Sequence, residues 1–273
     1  MNSNAIQELS IFAMDLALRA GEVMVQERQR AKLEHIYKSN EELVTNADLK
    51  VDELITKRIR KIYPEHRILS EESDTDKTYL QNLQDPLWII DPIDGTVNYA
   101  HGHPQVAVSI AYVEHGEVQI GIVHNPFMEE TFSAIRGQTA TLNHKPIQVS
   151  GETSLRRALV ATGFPYAKDA LTPIVQRVSA TLHHCRDIRR LGSAALDICW
   201  VACGRMDAYY ESVSPWDFAA ARLIALQAGA TCGHFSSVPQ DQSAELWGTD
   251  ILISSPALFD PFREILVAAS QAK

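Results

Sequence analysis

The sequence predicts an α+β fold: two N-terminal helices packed on an antiparallel sheet, followed by a C-terminal α/β half. Three observations predict it. Apolar residues recur at helical spacing up to about residue 62, short strand-like runs joined by tight turns follow to about residue 150, and strand and helix patterns alternate from there to the end. With 273 residues, 45% hydrophobic and 22% charged, the chain has ordinary globular composition and enough length for a large core. The expected organisation is one compact unit of two halves, 1–150 and 151–273, without a flexible linker.

From Ala5 to about Arg30, Ile6, Leu9, Ala13, Leu16, Ala17, Ala20 and Met24 mark one face of a long first helix. A polar loop with Lys38, Ser39 and Asn40 follows. The second helix is expected from near Asn46 to Ile62, opened by the capping signature Thr45-x-x-Asp48 and stopped by Pro64. The runs RILSE, LWIID, QVAVSIAYVE, EVQIGIVHN, ETFSAIR and PIQVS then read as strands, with His115-Gly116 and Asn143-His144 at turn positions. Beyond Ser150, ALVATG, RDIRRL, MDAYYE and ILISS are strands. They alternate with helices at Leu171 to His183, Ser193 to Cys203, Trp216 to Ala228 and Pro256 to Gln271.

A formal net charge of −9 argues against a protein that works by coating nucleic acid or anionic membrane. The start MNSNAIQELS has neither a cationic nor an apolar leader segment, and no window approaches a membrane span, so a cytoplasmic location is expected. Cys185, Cys199, Cys203 and Cys232 fit neither a disulfide framework nor a zinc spacing and read as reduced core thiols.

The chemistry concentrates in WIIDPIDGTVNYAHGHP, residues 88–104. An apolar strand runs directly into Asp91 and Asp94, charges that are costly to desolvate unless paired. Pro92 is expected to end the strand and let both carboxylates converge, with Gly95 leaving backbone accessible and Thr96 and Asn98 opening a short helix. An Asp-x-x-Asp-Gly turn exposed to water and a cation site are both compatible with this stretch alone. Glu71 after the strand RIL and Asp217 at the start of a helix add carboxylates at element ends. Four of them at one edge would repel unless divalent cations neutralised them, and oxygen donors without His or Cys suit Mg²⁺ or Mn²⁺. A zinc site on His101-x-His103 is the alternative metal reading.

The stretches KSNEELVTNADLKVDELI, SEES, WIIDPIDGTVNYAHGHP, LGSAALDICWVACGRMDAYYE and PWDFAAARLIALQAGA, in this order, resemble the inositol monophosphatase family of lithium-sensitive, Mg²⁺-dependent phosphatases. The resemblance covers essentially the whole chain. It implies a layered αβαβα sandwich, usually a homodimer, that hydrolyses a small phosphate monoester and needs no direct nucleic acid or membrane partner. By the same resemblance Glu71, Asp91 and the Ile93 carbonyl hold a first ion, Asp91, Asp94 and Asp217 a second, and a third, weaker ion sits near Glu71. Gly95 and Thr96 would meet the phosphate, while Asp94, Ala194, Glu211 and Asp217 would line the alcohol side. Asp48 would hydrogen-bond Thr96, and Lys38 would lie at the outer rim of the metal cluster. Most metal ligands thus fall in 1–150 and the substrate-side residues in 151–273.

The implied activity is hydrolysis of inositol 1-phosphate or a related sugar or polyol phosphate by metal-activated water. Fructose-1,6-bisphosphate, NADP, histidinol phosphate and nucleotide 3′-phosphates are alternative substrates on the same fold, the last disfavoured because Ile93 stands where those enzymes usually carry Leu. A non-catalytic, transcription-related partner-binding protein is the alternative of another class. The sequence departs from the family pattern at SEES, at Ala221 and Gln227, and in ESVSPWD, where Glu211 and Asp217 are one residue closer than in the inositol-phosphate enzymes.

Overall fold

The computed structural model of the protein describes residues 3–30, 35–37, 43–73, 75, 78, 80, 83–165 and 171–271, and holds seven helices and fourteen strands among them. Helix α1 (Ser3–Gln29) and helix α2 (Asn46–Ile62) lie side by side on one face of a large sheet. Their buried stripes are Leu9, Leu16, Ala20 and Met24 on α1, positions the helical spacing marks, and Val51, Ile55 and Ile59 on α2, whereas Ile62 at the end of the apolar α2 pattern is exposed. The α2 start is the expected capping box, with the Thr45 amide donating to Asp48 Oδ2 at 2.8 Å and the Ala47 amide donating back to Thr45 Oγ1. Two short strands, β1 (His35–Tyr37) and β2 (Leu43–Thr45), pair antiparallel between the helices in sequence, and Lys38 lies outside the described residues.

The large sheet runs in chain order: β3 (Arg67–Ser70), β4 (Leu87–Asp94), β5 (Ala107–Glu114), β6 (Glu117–Asn125), β7 (Glu130–Ile135), β8 (Thr141–Leu142) and β9 (Lys145–Pro146). Two-residue turns join β5 to β6 and β8 to β9, with His115-Gly116 and Asn143-His144 both at positive φ, the conformation such hairpins need. The sheet is mixed rather than antiparallel throughout, because β3 pairs parallel with β4, a register that local turn signals cannot announce. Strand β4 is buried along its whole length. Trp88 and Ile90 face the α1–α2 layer, whereas Leu87 and Ile89 face the opposite layer, so the uninterrupted apolar run is that of a strand covered on both sides.

Pro92 does not end this strand. β4 continues to Asp94, and the ladder shifts register between the Asp91–Ser109 and Asp94–Ala107 pairs. An irregularity is the place where a sheet tolerates a residue that has no N–H to give. Gly95 follows at φ +95° and caps the short helix α3 (Thr96–Ala100).

The second sheet has the order β11-β10-β12-β14-β13, built from β10 (Leu159–Thr162), β11 (Asp187–Arg189), β12 (Ala208–Glu211), β13 (Thr231–His234) and β14 (Ile251–Ser254). Strand β13 has no counterpart in the sequence reading, since its four residues are all partly exposed and show no alternation. Helices α5 (Ala194–Ala202) and α6 (Pro215–Gln227) fill the space between the sheets. Helices α4 (Leu171–His184) and α7 (Pro256–Gln271) pack on each other outside the second sheet. Tyr209 and Ala161 turn inward to the middle layer while Tyr210, Val160 and Leu252 turn outward to Leu258, Phe262 and Leu266 of α7. The layers therefore stack α-β-α-β-α.

A single apolar cluster joins Ile89, Ala111 and Phe132 of the large sheet to Leu196, Phe218 and Leu223 of α5 and α6 and to Ile253 of the small one. All four cysteines are free thiols, Cys185 and Cys199 fully buried. No helix among the described residues is long and apolar enough to cross a membrane.

Candidate metal centre and substrate cleft

Three element ends bring four carboxylates to one cleft of about 490 Å³. Strand β4 delivers Asp91 and Asp94, the end of β3 delivers Glu71, whose amide bonds the Ile90 carbonyl, and the first turn of α6 delivers Asp217. One carboxylate oxygen each of Asp91, Asp94 and Asp217 lies within 4.8 Å of the others. Among the described residues this is the one place where three metal-ligating side chains gather. Asp217 also closes the capping box of α6, accepting the Ser214 amide on Oδ2 at 2.7 Å, so one side chain both starts its helix and joins the cluster.

Asp91 is 1% exposed and Asp94 7%. Burial, and after it the nearness of Glu71, Asp94 and Asp217, pushes Asp91 well above the ordinary carboxylate range. Burial lifts Asp94 to about 6, held back by three donors from the start of α5: the Ser193 hydroxyl on Oδ2, the Ala195 amide on Oδ2 at 2.8 Å and the Ala194 amide on Oδ1 at 3.2 Å. Buried carboxylates that crowd one another are poorly placed as free anions and well placed as hard-oxygen ligands. The donor set, all carboxylate with neither His nor Cys, fits Mg²⁺ or Mn²⁺.

The turn that follows is fixed from several sides. The Ile93 amide donates to Asp91 Oδ1 at 3.0 Å, and the Thr96 hydroxyl lies 3.1 Å from both the Ile93 carbonyl oxygen and Asp48 Oδ1. Tyr99 of α3 is buried and donates its hydroxyl to the Met24 carbonyl of α1 at 2.7 Å. Gly95 is obligatory here, since a Cβ in its left-handed conformation would meet the Gln105 and Gly192 carbonyls at 3.0 Å.

Glu71, Asp91, Ile93, Asp94, Gly95, Thr96, Ala194, Glu211 and Asp217 all line the cleft, and Asp48 sits behind Thr96, outside the lining. Glu211 accepts the Tyr209 hydroxyl on Oε2 at 2.6 Å, and burial raises it to about 7. Gly163 leaves it room: a Cβ there would lie 2.1 Å from Glu211 Oε2. His101 and His103 are exposed beyond α3 and stand apart from the carboxylate cluster.

The sequence reading assigns no role to Arg190, Ser193 or Asp197, which also line the cleft. Arg190 packs over the Phe164 ring, 5.5 Å from its centroid. Ser193 is the N-cap of α5, and its bond to Asp94 spans 99 positions. Asp197 is a buried acid within the apolar helix AALDICWVA, and that mismatch was its one local signal.

An αβαβα sandwich that gathers hard carboxylates at the floor of one cleft has the architecture of a metal-assisted phosphatase. Comparison with known proteins agrees. The sequence pattern of the inositol monophosphatase family matches residues 5–255. The chain is 38% identical over 227 residues to a Nus factor SuhB of Pasteurella multocida, covering 82% of this chain and 84% of that one. It is 32% identical over 268 residues to inositol monophosphatase 1 of Solanum lycopersicum, covering 97% and 96%. The solved inositol monophosphatase of Anabaena (Nostoc) superposes with a TM-score of 0.81 at 34% identity, over 97% of both chains. The chain belongs to the inositol monophosphatase family.

Proposed function

We propose that the protein is a Mg²⁺-dependent phosphomonoesterase that hydrolyses inositol 1-phosphate or a related sugar or polyol phosphate. The observation that carries the reading is the approach of Asp91, Asp94 and Asp217 oxygens to within 4.8 Å at the floor of an open cleft. Glu71, Asp91 and the Ile93 carbonyl would hold one ion, and Asp91, Asp94 and Asp217 a second, with a third, weaker ion near Glu71 and Mn²⁺ a working substitute. Bound Mg²⁺ supplies the positive charge that acidifies water and offsets charge on the phosphoryl and leaving oxygens.

The chain's own part is placement. Glu71 and Thr96, on the wall by the β3 and β4 ends, orient the attacking water, and the Asp48 contact fixes the Thr96 hydroxyl. Gly95 and Thr96 offer backbone to the phosphate. Asp94, Ala194, Glu211 and Asp217 line the side that receives the alcohol. Water attacks phosphorus in line, and no Ser, Cys or His of the cleft is used as a covalent nucleophile. Residues 1–150 supply most ligands and 151–273 the alcohol side, as two halves of one catalytic unit.

Family resemblance supports lithium inhibition, a homodimer and a cytoplasmic location, with neither nucleic acid nor membrane as a direct partner. The naming of the Pasteurella multocida relative as a Nus factor favours a second role in transcription through a partner, alongside or instead of catalysis. A phosphate-release screen over inositol 1-phosphate, fructose 1,6-bisphosphate, NADP and adenosine 3′,5′-bisphosphate with Mg²⁺ separates the readings. Preference for inositol 1-phosphate is expected, and no release from any ester would leave the partner-binding role.

A further inference from the structure

The alcohol side of the cleft carries four acids, and three of them are already provided with internal donors. Asp217 receives the Ser214 amide. Asp94 receives the Ser193 hydroxyl and the Ala194 and Ala195 amides. Glu211 receives the Tyr209 hydroxyl. Asp197 differs: it is 2% exposed, it lines the cleft, and its buried Oδ1 has no hydrogen-bond partner. Its neighbours in α5 are apolar, and the charged groups that bear on it are Asp94, Glu211 and Arg190, two of which repel it. A buried carboxyl with an unmade hydrogen bond costs stability, and an apolar residue of similar size at this helix position would not. A ligand group that completes the bond accounts for an acid at this place.

We propose that Asp197 is a specificity-determining residue of the cleft, hydrogen-bonding through Oδ1 to a hydroxyl on the alcohol portion of a phosphate monoester. The assignment rests on the phosphatase reading above and narrows it. A wall with Asp197 and Glu211 favours a neutral, polyhydroxylated alcohol over one that carries a second phosphate, because an additional anion at that depth would face two acids. Hydroxyls suit the site because each can both donate and accept.

The test compares inositol 1-phosphate with cyclohexyl phosphate, an ester of the same ring without hydroxyls, in wild type, Asp197→Leu and Asp197→Asn. Asp197→Leu should lower kcat/KM for inositol 1-phosphate about tenfold, mainly through KM, and leave cyclohexyl phosphate within about twofold. Asp197→Asn, which keeps a hydrogen-bonding group, should recover part of the loss. Asp197→Leu should melt no lower than wild type, because it removes an unpaired buried acid. Equal losses on the two esters, or no loss on either, would overturn the assignment while leaving the phosphatase reading intact. A lower melting temperature for Asp197→Leu would also overturn it, by revealing an internal partner. Wild-type protein inert toward both esters and toward every ester of the phosphate-release screen would remove the phosphatase reading and the assignment together.

Discussion

Asp48 and Thr96, 48 positions apart on two different helices, meet at 3.1 Å, and the same Asp48 carboxylate closes the capping box of α2 through its other oxygen. One side chain thus ties the start of a helix in the outer layer to the hydroxyl that faces the cleft. Asp48→Ala removes both links. It should cost about 2 kcal/mol in urea unfolding, the upper end for a lost cap, and should lower kcat for phosphate release more than it changes KM. Retention of wild-type kcat would mean that Thr96 is oriented without it.

Asp91 is the cluster member most crowded by other acids, with Glu71, Asp94 and Asp217 all raising its proton affinity after burial itself. Asp91→Asn keeps an acceptor for the Ile93 amide but removes the charge. In EDTA this variant should melt at or above the wild-type temperature, because one source of repulsion is gone. Adding Mg²⁺ should raise the wild-type melting temperature and leave the variant unmoved, and phosphate release should fall by roughly a hundredfold or more. A variant that still gains stability from Mg²⁺ would place the ion elsewhere.

What the sequence made legible was what local chemistry determines. The spans of α2 and α7 follow from the Thr45–Asp48 box, Pro64 and Pro256, and the hairpins at His115-Gly116 and Asn143-His144 from residues that accept positive φ. That Asp91, Asp94 and Asp217 come together was legible because they belong to an ordered set of motifs. Strand β13 was not, since Thr231–His234 is held by pairing with Ile251–Ser254, a partner beyond a long connection. The passage of β4 through Pro92 escaped because the register shift is a property of the pairing with β5. Ser193 escaped for the same kind of reason, since its partner Asp94 comes from the other half of the chain.

Helix α6 carries Asp217 and crosses β6 so closely that only glycine fits beneath it. A Cβ on Gly121 would stand 2.4 Å from the Ala220 carbonyl oxygen. Ala220 and Ala221 are themselves fully buried, so the backbones have no side-chain slack to absorb the methyl group. Gly121→Ala should cost about 3 kcal/mol, the upper end for overpacking, and should weaken Mg²⁺ binding in calorimetry by shifting the Asp217 turn. Gly116→Ala is a control for loss of a glycine, since a Cβ there meets nothing within 4 Å; its positive φ strains the β5–β6 turn, whose amide bonds the Leu83 carbonyl rather than α6. Equal Mg²⁺ affinities for the two variants would show that the α6 contact does not set the metal site.

Glu211 gives the ion-free protein a pH signature. Burial raises its pKa from 4.5 to about 7, so the folded chain binds this proton more tightly than the unfolded one. Its contribution to stability is therefore complete below about pH 4.5 and is lost as pH rises through about 7, an effect on the order of 3 kcal/mol. Asp94, raised to about 6, acts in the same direction. His124 opposes them: burial lowers its pKa from 6.5 to about 4, so its contribution is present above pH 6.5 and fades as pH falls toward 4. Subtracting the curve of Glu211→Gln from that of wild type cancels His124 and leaves Glu211 together with the repulsion it shares with Asp94. Urea unfolding in EDTA should find the variant matched to wild type near pH 4.5 and more stable than wild type at pH 8. The Tyr209 hydroxyl retains an acceptor in the variant, so the hydrogen bond itself does not enter the difference. A difference that stays constant from pH 4.5 to 8 would mean that Glu211 titrates alike in the folded and unfolded chain.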